Sequence, residues 1–239
     1  FRLSPDDVES KITDRTRLLI INSPANPTGS VMTKEELLEV GKIAEKKNLY
    51  LLTDEVYSRL IFDSEKSFFS PSTLDQCKKR TIIINGLSKA FSMTGWRIGI
   101  AIGPSDVIAK MGLVVETLSS CTPPFCQIAG LEAINGDQSE LIKMKKEYFD
   151  RKNILVKGLN DINGISCVNP GGAMYVFPNI KETKMTSDEF SEYVLKKTGI
   201  GVLPGNNFGA NGEGYIRMCY STSQDDIREA LGRLKTLFG

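Results

Sequence analysis

Residues 81–99 read TIIINGLSKAFSMTGWRIG, a short apolar run followed by glycines and small polar residues. The run at residues 81–84 has the β-branched composition of a buried strand. Beyond it come Lys89 and Arg97. A lone lysine is usually a solvated surface charge, but the small neighbours here leave room for a ligand. Arginine among glycines suits an oxyanion, because its planar fork binds two oxygens at once.

Similar apolar runs alternate with helical patterns through the first half of the chain. Strands are predicted at residues 17–22, 49–53, 81–84 and 98–102. The capping box that starts at Thr33 predicts one helix, and Pro104 predicts the start of another. This alternation is typical of an α/β fold, a mostly parallel sheet with helices on both faces.

The second half of the chain has a different pattern. A long charged helix is predicted at residues 139–159. Further strands are predicted at 165–168, 173–177, 200–203 and 215–220, with helices at 187–197 and 224–237. This mixture predicts a smaller α+β domain. We therefore divide the chain into residues 1–136, part of a large α/β domain, and residues 137–239, a connecting helix and a small C-terminal domain.

Composition excludes several classes of function. The 239 residues carry a net charge of +1, which gives no reason to expect nucleic acid or an anionic membrane as a partner. The apolar runs are far shorter than the ~20 residues of a membrane-spanning helix. The chain has no histidine, so a metal site or triad built on imidazole is excluded and no metal is expected. Five cysteines without a CxxC pair favour reduced thiols in the cytoplasm.

Polar residues follow several predicted strands, where an open parallel sheet binds its ligands. Asn26 lies in NSPANPTG, a loop whose prolines would fix the amide for a ligand, or which is simply a turn. Asp54 and Tyr57 would share one face if the chain turns helically there, although Asp54 could equally be a cap or a surface charge. Arg217, among apolar strand residues, is either exposed at an edge or buried with an anionic partner.

Taken in order, these motifs resemble the class I and II family of pyridoxal-phosphate-dependent aminotransferases, of fold type I. The matching motifs are NPTG, DEVY, SKAFSMTGWRIG, PGGAMYVF, VLPGNNFG and GYIRMCY. Six motifs in register along the whole chain are highly specific. The resemblance implies transfer of an amino group between an L-amino acid and a 2-oxo acid, with pyridoxal 5′-phosphate as the cofactor.

The resemblance also implies catalytic roles. Lys89 would form an aldimine with the cofactor and later carry the proton between the substrate Cα and the cofactor C4′. Asp54 would pair with the pyridinium nitrogen and keep it protonated. Tyr57 would hydrogen-bond the cofactor's phenolic oxygen, with Asn26 doing so from the other side. We also expect Asn26 to contribute to substrate binding.

The remaining implied roles concern anionic groups. Arg97 would bind the cofactor phosphate, helped by Ser88. Gly86 departs from the family pattern, because many relatives have a serine at this position whose side chain would add a phosphate contact. Arg217 would clamp the α-carboxylate of the substrate. Trp96 is expected to serve in packing.

Family members carry a substantial preceding segment, so we expect this chain to be the C-terminal portion of a longer enzyme that is a homodimer when intact. Two alternatives stay open at this point. The same fold and Lys89 serve β-elimination lyases, and the chain by itself could be a non-catalytic fragment or binding module. The residues do not discriminate among aspartate, aromatic, alanine and branched-chain substrates.

Overall fold

The structure is a computed structural model that describes residues 1, 3–62 and 68–239. These residues form two compact units. The first contains Phe1–Pro24 and Val31–Ile142, and the second contains Ala25–Ser30 and Lys143–Gly239. The short loop Ala25–Ser30 therefore belongs to the second unit, although both of its neighbours in sequence belong to the first.

A four-stranded sheet forms the centre of the first unit. Its strands, in spatial order, are β1 (Leu18–Asn22), β2 (Tyr50–Asp54), β3 (Thr81–Gly86) and β4 (Gly99–Ile102). The helices are α1 (Pro5–Lys11), α2 (Lys34–Lys46), α3 (Leu87–Ala90), α4 (Ser105–Ser119) and α5 (Pro124–Asn135). The β1–β2 and β2–β3 pairs are parallel. The prediction of a mostly parallel α/β sheet is confirmed.

The last strand of the sheet runs antiparallel to its neighbour. Gly86 of β3 pairs with Gly99 of β4 across a connection of residues 87–98. This connection contains only α3 and a single 3₁₀ turn, Thr94–Trp96. Because neither element lies as a crossover helix over the sheet, the chain turns back on itself and β4 pairs in the opposite direction.

The core of the first unit lies between α2 and the strands β1 and β2. Thr33 caps α2: its side chain accepts from the N–H of Glu36, whose carboxylate accepts in turn from the N–H of Thr33 at 2.8 Å, as the capping box predicted. The apolar face of α2 then packs on the sheet. This cluster comprises Ile21, Met32, Leu37, Val40, Ala44, Leu49 and Leu51. Each fully buried aliphatic side chain of this kind stabilises the fold by about 1.5–3 kcal/mol.

Helices α4 and α5 expose much of their apolar surface. No residue of α4 is buried, and the exposed fraction reaches 79% for Leu118. On α5, Phe125 is 68% and Ile128 is 69% exposed. Among the residues that the structure describes, no helix is long and apolar enough to cross a membrane.

The second unit combines helices with a small antiparallel sheet. Its elements are α6 (Ser139–Asn160, which begins in the first unit), β5 (Tyr175–Val176), α7 (Ser187–Thr198), β6 (Leu203–Pro204), β7 (Ile216–Cys219) and α8 (Gln224–Phe238). The strand order is β5-β7-β6, so β7 is central. The predicted α+β composition is confirmed.

One strand prediction in this unit is wrong. Residues 165–168 do not form a strand; only Ser166 makes an isolated bridge, to Asn179. The reason is the side chain of Asn160 at the end of α6. Its amide accepts from the N–H of Cys167 at 2.8 Å and donates to the carbonyl of Cys167 at 3.0 Å. A side chain thus satisfies the backbone groups that a neighbouring strand would otherwise bind.

Asp75 organises the turn that leads into β3. Its carboxylate accepts from the N–H groups of Cys77 at 3.0 Å, Arg80 at 2.8 Å and Thr81 at 3.0 Å. Burial alone would raise the pKa of Asp75, but the hydrogen bonds outweigh burial and hold the pKa below its ordinary value.

We expect Asp75→Asn to lower the free energy of unfolding at pH 7 by about 1–3 kcal/mol, because charge-assisted hydrogen bonds are lost. The folded pKa lies below the unfolded value of 3.8, so this stabilisation is complete above pH 3.8 and is lost as the pH falls through the folded pKa. Urea unfolding at pH 7 and pH 3 measures both effects. The exposed Asp161→Asn is the control, and equal losses in the two variants would contradict this role.

Candidate active site

Three strands bring their carboxyl ends to one edge of the first unit's sheet. Asn22, the last residue of β1, pairs with Asp54, the last residue of β2, which pairs in turn with Ile84 of β3. The Asn22 side chain also donates to the Asp54 carbonyl at 3.4 Å. The segments that follow β2 and β3 therefore leave the sheet at the same edge, where open α/β sheets bind ligands.

Asp54 and Tyr57 lie at the start of a tight turn beyond β2. The Asp54 Oδ1 atom accepts from the N–H of Val56 at 3.1 Å, so this carboxylate does cap the turn. The N–H of Leu60 then donates to the Tyr57 carbonyl at 2.8 Å. The side chain of Tyr57 is buried. This cap uses one of the two carboxylate oxygens of Asp54. Among the described residues, none donates a hydrogen bond to the other oxygen.

Lys89 lies on the single helical turn α3, directly beyond β3. Leu87 and Ala90 of this turn are buried and fix it against the unit, while Ser88 and Lys89 are half-buried. Within the part of the chain that the structure describes, no residue forms an ion pair or hydrogen bond with the Lys89 ammonium. A half-buried lysine in this position has its amine available for chemistry.

Arg97 lies on the surface of the first unit. Its backbone is left-handed, with φ 54° and ψ 44°, and its Nη1 donates to the Thr94 carbonyl at 2.9 Å. Trp96, immediately before it, is 43% exposed, so its ring is only partly packed against the described residues. The guanidinium of Arg97 keeps most of its donors for an external oxyanion.

The glycine at position 86 has a structural reason. Gly86 pairs with Gly99 of β4, and a Cβ atom at Gly86 would approach the Ile98 carbonyl oxygen to 3.2 Å. A side chain therefore fits here only if the Ile98 carbonyl moves by a few tenths of an ångström. Of the two positions considered for a hydroxyl contact to phosphate, only Ser88 supplies one.

Arg217 lies on the central strand of the second unit, half-buried and in contact with Asn26. Its Nη1 donates to the Asn26 Oδ1 atom at 3.1 Å across 191 residues of sequence. Its guanidinium carbon lies 4.7 Å from the ring centroid of Tyr175 and 5.0 Å from that of Phe208. No carboxylate among the described residues pairs with it. Neither sequence interpretation of Arg217 is therefore complete: it lies on the central strand, and its contacts with Asn26, Tyr175 and Phe208 are with neutral side chains.

The loop that carries Asn26 is fixed within the second unit. Within it, the N–H of Gly29 donates to the Ala25 carbonyl at 2.8 Å. The N–H of Gly172 donates to the Gly29 carbonyl at 3.0 Å. Gly29 has φ +65°, and a Cβ atom there would lie 2.4 Å from the Cβ of Pro170. Only glycine fits this backbone and this approach.

Glu55 is a feature that sequence analysis missed. It is 4% exposed, and its Oε1 atom accepts from the hydroxyls of Ser70 at 2.6 Å and Thr53 at 3.3 Å. Burial raises the pKa of Glu55, the two hydroxyl donors partly offset this rise, and the neighbouring charge of Asp54 adds to it. The alternation of side chains along a strand could have indicated it, because Thr53 and Glu55 must point to the face of the sheet opposite to Asp54.

The structure thus places the sequence-predicted residues in two groups. The first unit holds Asp54, Tyr57, Ser88, Lys89 and Arg97, and the second holds Asn26 and Arg217. Asn26 and Arg217 are in direct contact through a hydrogen bond. Within the described ranges, no cluster of three or more cysteine, aspartate or glutamate side chains could hold a metal ion.

Comparison with known proteins identifies the class to which this fold and these residues belong. The family model for aminotransferase class I and II matches residues 1–234. The chain belongs to the class I and II aminotransferase family.

Individual relatives agree with this assignment. The chain is 44% identical over 235 residues to the protein YugH of Bacillus subtilis, and 42% identical over 237 residues to aromatic-amino-acid aminotransferase 2 of Thermococcus litoralis. Both alignments cover 98% of this chain and 60% of the relative. The crystal structure of an aromatic aminotransferase from Pyrococcus horikoshii superposes with a TM-score of 0.94 at 39% identity, covering 99% of this chain and 64% of that one. The chain thus spans about three fifths of these relatives.

We expect Gly29→Ala to destabilise the protein by about 2–4 kcal/mol. The alanine would have to adopt a left-handed backbone conformation, and its Cβ atom would overlap with Pro170. Chemical unfolding measures the loss. Gly95→Ala is the matched control, since nothing lies within 4 Å of a Cβ atom at Gly95. Similar unfolding midpoints for the two variants would contradict the close packing of this loop.

We expect Glu55→Gln to raise the free energy of unfolding at pH 8. The folded pKa of Glu55 lies above the unfolded value of 4.5, so its stability contribution is greatest below pH 4.5 and falls as the pH rises through the folded pKa. Glutamine stays neutral and keeps an acceptor for Ser70 and Thr53. The advantage of the variant should disappear below pH 4.5 in thermal unfolding. An advantage equal at all pH values, or one shared by the exposed Glu182→Gln, would contradict burial as its cause.

Proposed function

We propose that the protein to which this chain belongs is a pyridoxal-phosphate-dependent aminotransferase. It would move an amino group between an L-amino acid and a 2-oxo acid. The observation that carries the proposal is the half-buried Lys89 at the end of β3, beside the strand that ends in Asp54. Membership in the class I and II aminotransferase family supports it.

The residues of the first unit fit pyridoxal phosphate chemically. An aldehyde requires an amine, and the amine of Lys89 has no partner among the described residues. A pyridine nitrogen requires an acid, and Asp54 has one carboxylate oxygen beyond its cap to Val56. A phosphate requires cationic and hydroxyl donors, which Arg97 and Ser88 carry on the surface and on α3.

When bound, pyridoxal phosphate supplies an aldehyde that condenses with amines and a ring that accepts electrons from the substrate Cα. Around it, this chain's residues would hold and move protons. Asp54 would keep the proton on the pyridine nitrogen. Lys89 Nζ would take the proton from the substrate Cα and deliver it to the cofactor C4′. The phenol of Tyr57 would hydrogen-bond the cofactor's phenolic oxygen.

Substrate binding is assigned to the second unit. Arg217 would bind the α-carboxylate in bidentate fashion, which fixes the amino acid before reaction. Asn26 accepts one N–H of this guanidinium and orients it. The α-carboxylate is common to all amino acids, so this pair defines a class of substrate rather than a particular one.

We also propose that the protein is a cytoplasmic homodimer. Five free cysteines support a reducing compartment. The exposed apolar side chains of α4 and α5, among them Leu118, Phe125 and Ile128, support association through this part of the first unit.

The proposed function is tested on the protein expressed from its complete reading frame and supplied with pyridoxal phosphate. Borohydride treatment should attach a pyridoxyl phosphate group to Lys89, identified by peptide mass. Lys89→Ala should lose at least about 10³-fold in amino transfer from a panel of L-amino acids to pyruvate, because the amine and the proton carrier are both removed. Lys157→Ala, at an exposed position of α6 away from the proposed dimer surface, should retain activity.

Three results would count against this proposal. One is attachment at a lysine other than Lys89. Another is amino transfer by Lys89→Ala at the level of Lys157→Ala. Release of pyruvate and ammonia from a β-substituted amino acid, without amino transfer, would instead identify a lyase.

A further inference from the structure

Two aromatic rings approach Arg217, one from each side of its strand β7. Strand β7 is central in the order β5-β7-β6. Tyr175 of β5 pairs with Cys219, so it is a diagonal neighbour of Arg217 and within reach of a long side chain. On the other side, Leu203 of β6 pairs with Arg217, and the 3₁₀ turn Gly205–Phe208 that follows β6 brings Phe208 to the guanidinium.

The ring of Phe208 is itself held in place. It meets the ring of Phe177 edge to face, with centroids 6.1 Å apart and an angle of 88°. Phe177 in turn stacks on Tyr215, at 5.2 Å and 3°. Phe208 remains 36% exposed, whereas Tyr175 is 7% exposed and belongs to the core. Phe208 can therefore be replaced at smaller cost to folding than Tyr175.

The contacts of Arg217 leave its donors for a ligand. A guanidinium has five N–H donors, and the hydrogen bond to Asn26 uses one of them. Aromatic rings attract the cation through their faces and take up no N–H in a conventional hydrogen bond. Two rings thus restrain the group while its N–H donors stay available for a carboxylate.

We propose that Phe208 is a positioning residue, which holds the Arg217 guanidinium, together with Tyr175 and Asn26, in the orientation that binds the substrate carboxylate. The inference rests on the proposed function, because that function assigns the carboxylate to Arg217. Without the ring, the arginine must be ordered when substrate binds, and this ordering weakens binding. A contact of this kind corresponds to about a three- to tenfold change in affinity.

The experiment uses the protein expressed from its complete reading frame, loaded with pyridoxal phosphate. Pyruvate is the probe, because apart from its reacting 2-oxo group it carries only a carboxylate and a methyl group. Phe208→Leu should raise KM for pyruvate about three- to tenfold and leave kcat nearly unchanged, since binding is lost equally from ground and transition states. Calorimetric titration of the cofactor-free protein with pyruvate should show the same loss. Phe208→Tyr keeps the ring and should restore both values.

Phe238→Leu is the matched control, because this ring stacks on Phe190 at 5.3 Å in the same unit. It should lower the thermal midpoint and leave pyruvate binding unchanged. If Phe208→Leu lowers the midpoint in the same way without changing KM, Phe208 is a packing residue and the inference is overturned. Arg217→Ala separates the two proposals. If Arg217→Ala binds pyruvate as well as the unaltered protein does, the assignment of the carboxylate to Arg217 is overturned. If Arg217→Ala loses pyruvate binding while Phe208→Leu binds pyruvate normally, only the role of Phe208 is overturned.

Discussion

Parallel pairing of β1, β2 and β3 is the constraint from which the site of the first unit follows. Parallel strands end at the same edge, so the ladder that sets Asn22 beside Asp54 and Asp54 beside Ile84 also gathers the segments that follow them. Each hydrogen bond of this ladder contributes only about 1 kcal/mol. Together with the core between α2 and the sheet, however, the ladder determines the positions of the Asp54 carboxylate and of the segment after β3 that carries the Lys89 amine. The position of the Asp54 side chain depends on that register, because a slip by one residue would turn it to the opposite face.

Much of this arrangement could be predicted from the sequence, because it depends on local signals. The apolar runs before Asp54 and before Lys89 define strands, and the capping box at Thr33 defines α2. These signals act within a few residues and do not require knowledge of the tertiary structure. The family motifs then order the polar residues along the chain.

Other features depend on contacts between distant residues, and the sequence did not reveal them. Residues 165–168 have the composition of a strand, yet the amide of Asn160 takes their backbone hydrogen bonds. Arg217 was expected to be exposed or paired with an acid, yet it lies between two rings and an amide. Glu55 was overlooked because nothing nearby indicates that Ser70, 15 residues away, will bind it. In each case the structure depends on a contact with a distant side chain, and the pattern of apolar and polar residues does not identify that side chain.

The loop Ala25–Ser30 has a further consequence for how the molecule can be divided. The chain passes between the two compact units at three places, after residues 24, 30 and 142, rather than at one. A fragment that begins at Lys143 would lack six residues of its own unit, and the N–H of Gly172 would lose its carbonyl partner on Gly29. The oxygen that Asn26 offers to Arg217 would also be missing from such a fragment. A single cut therefore does not yield two self-sufficient halves, and the second unit is defined by spatial contacts rather than by a continuous length of gene.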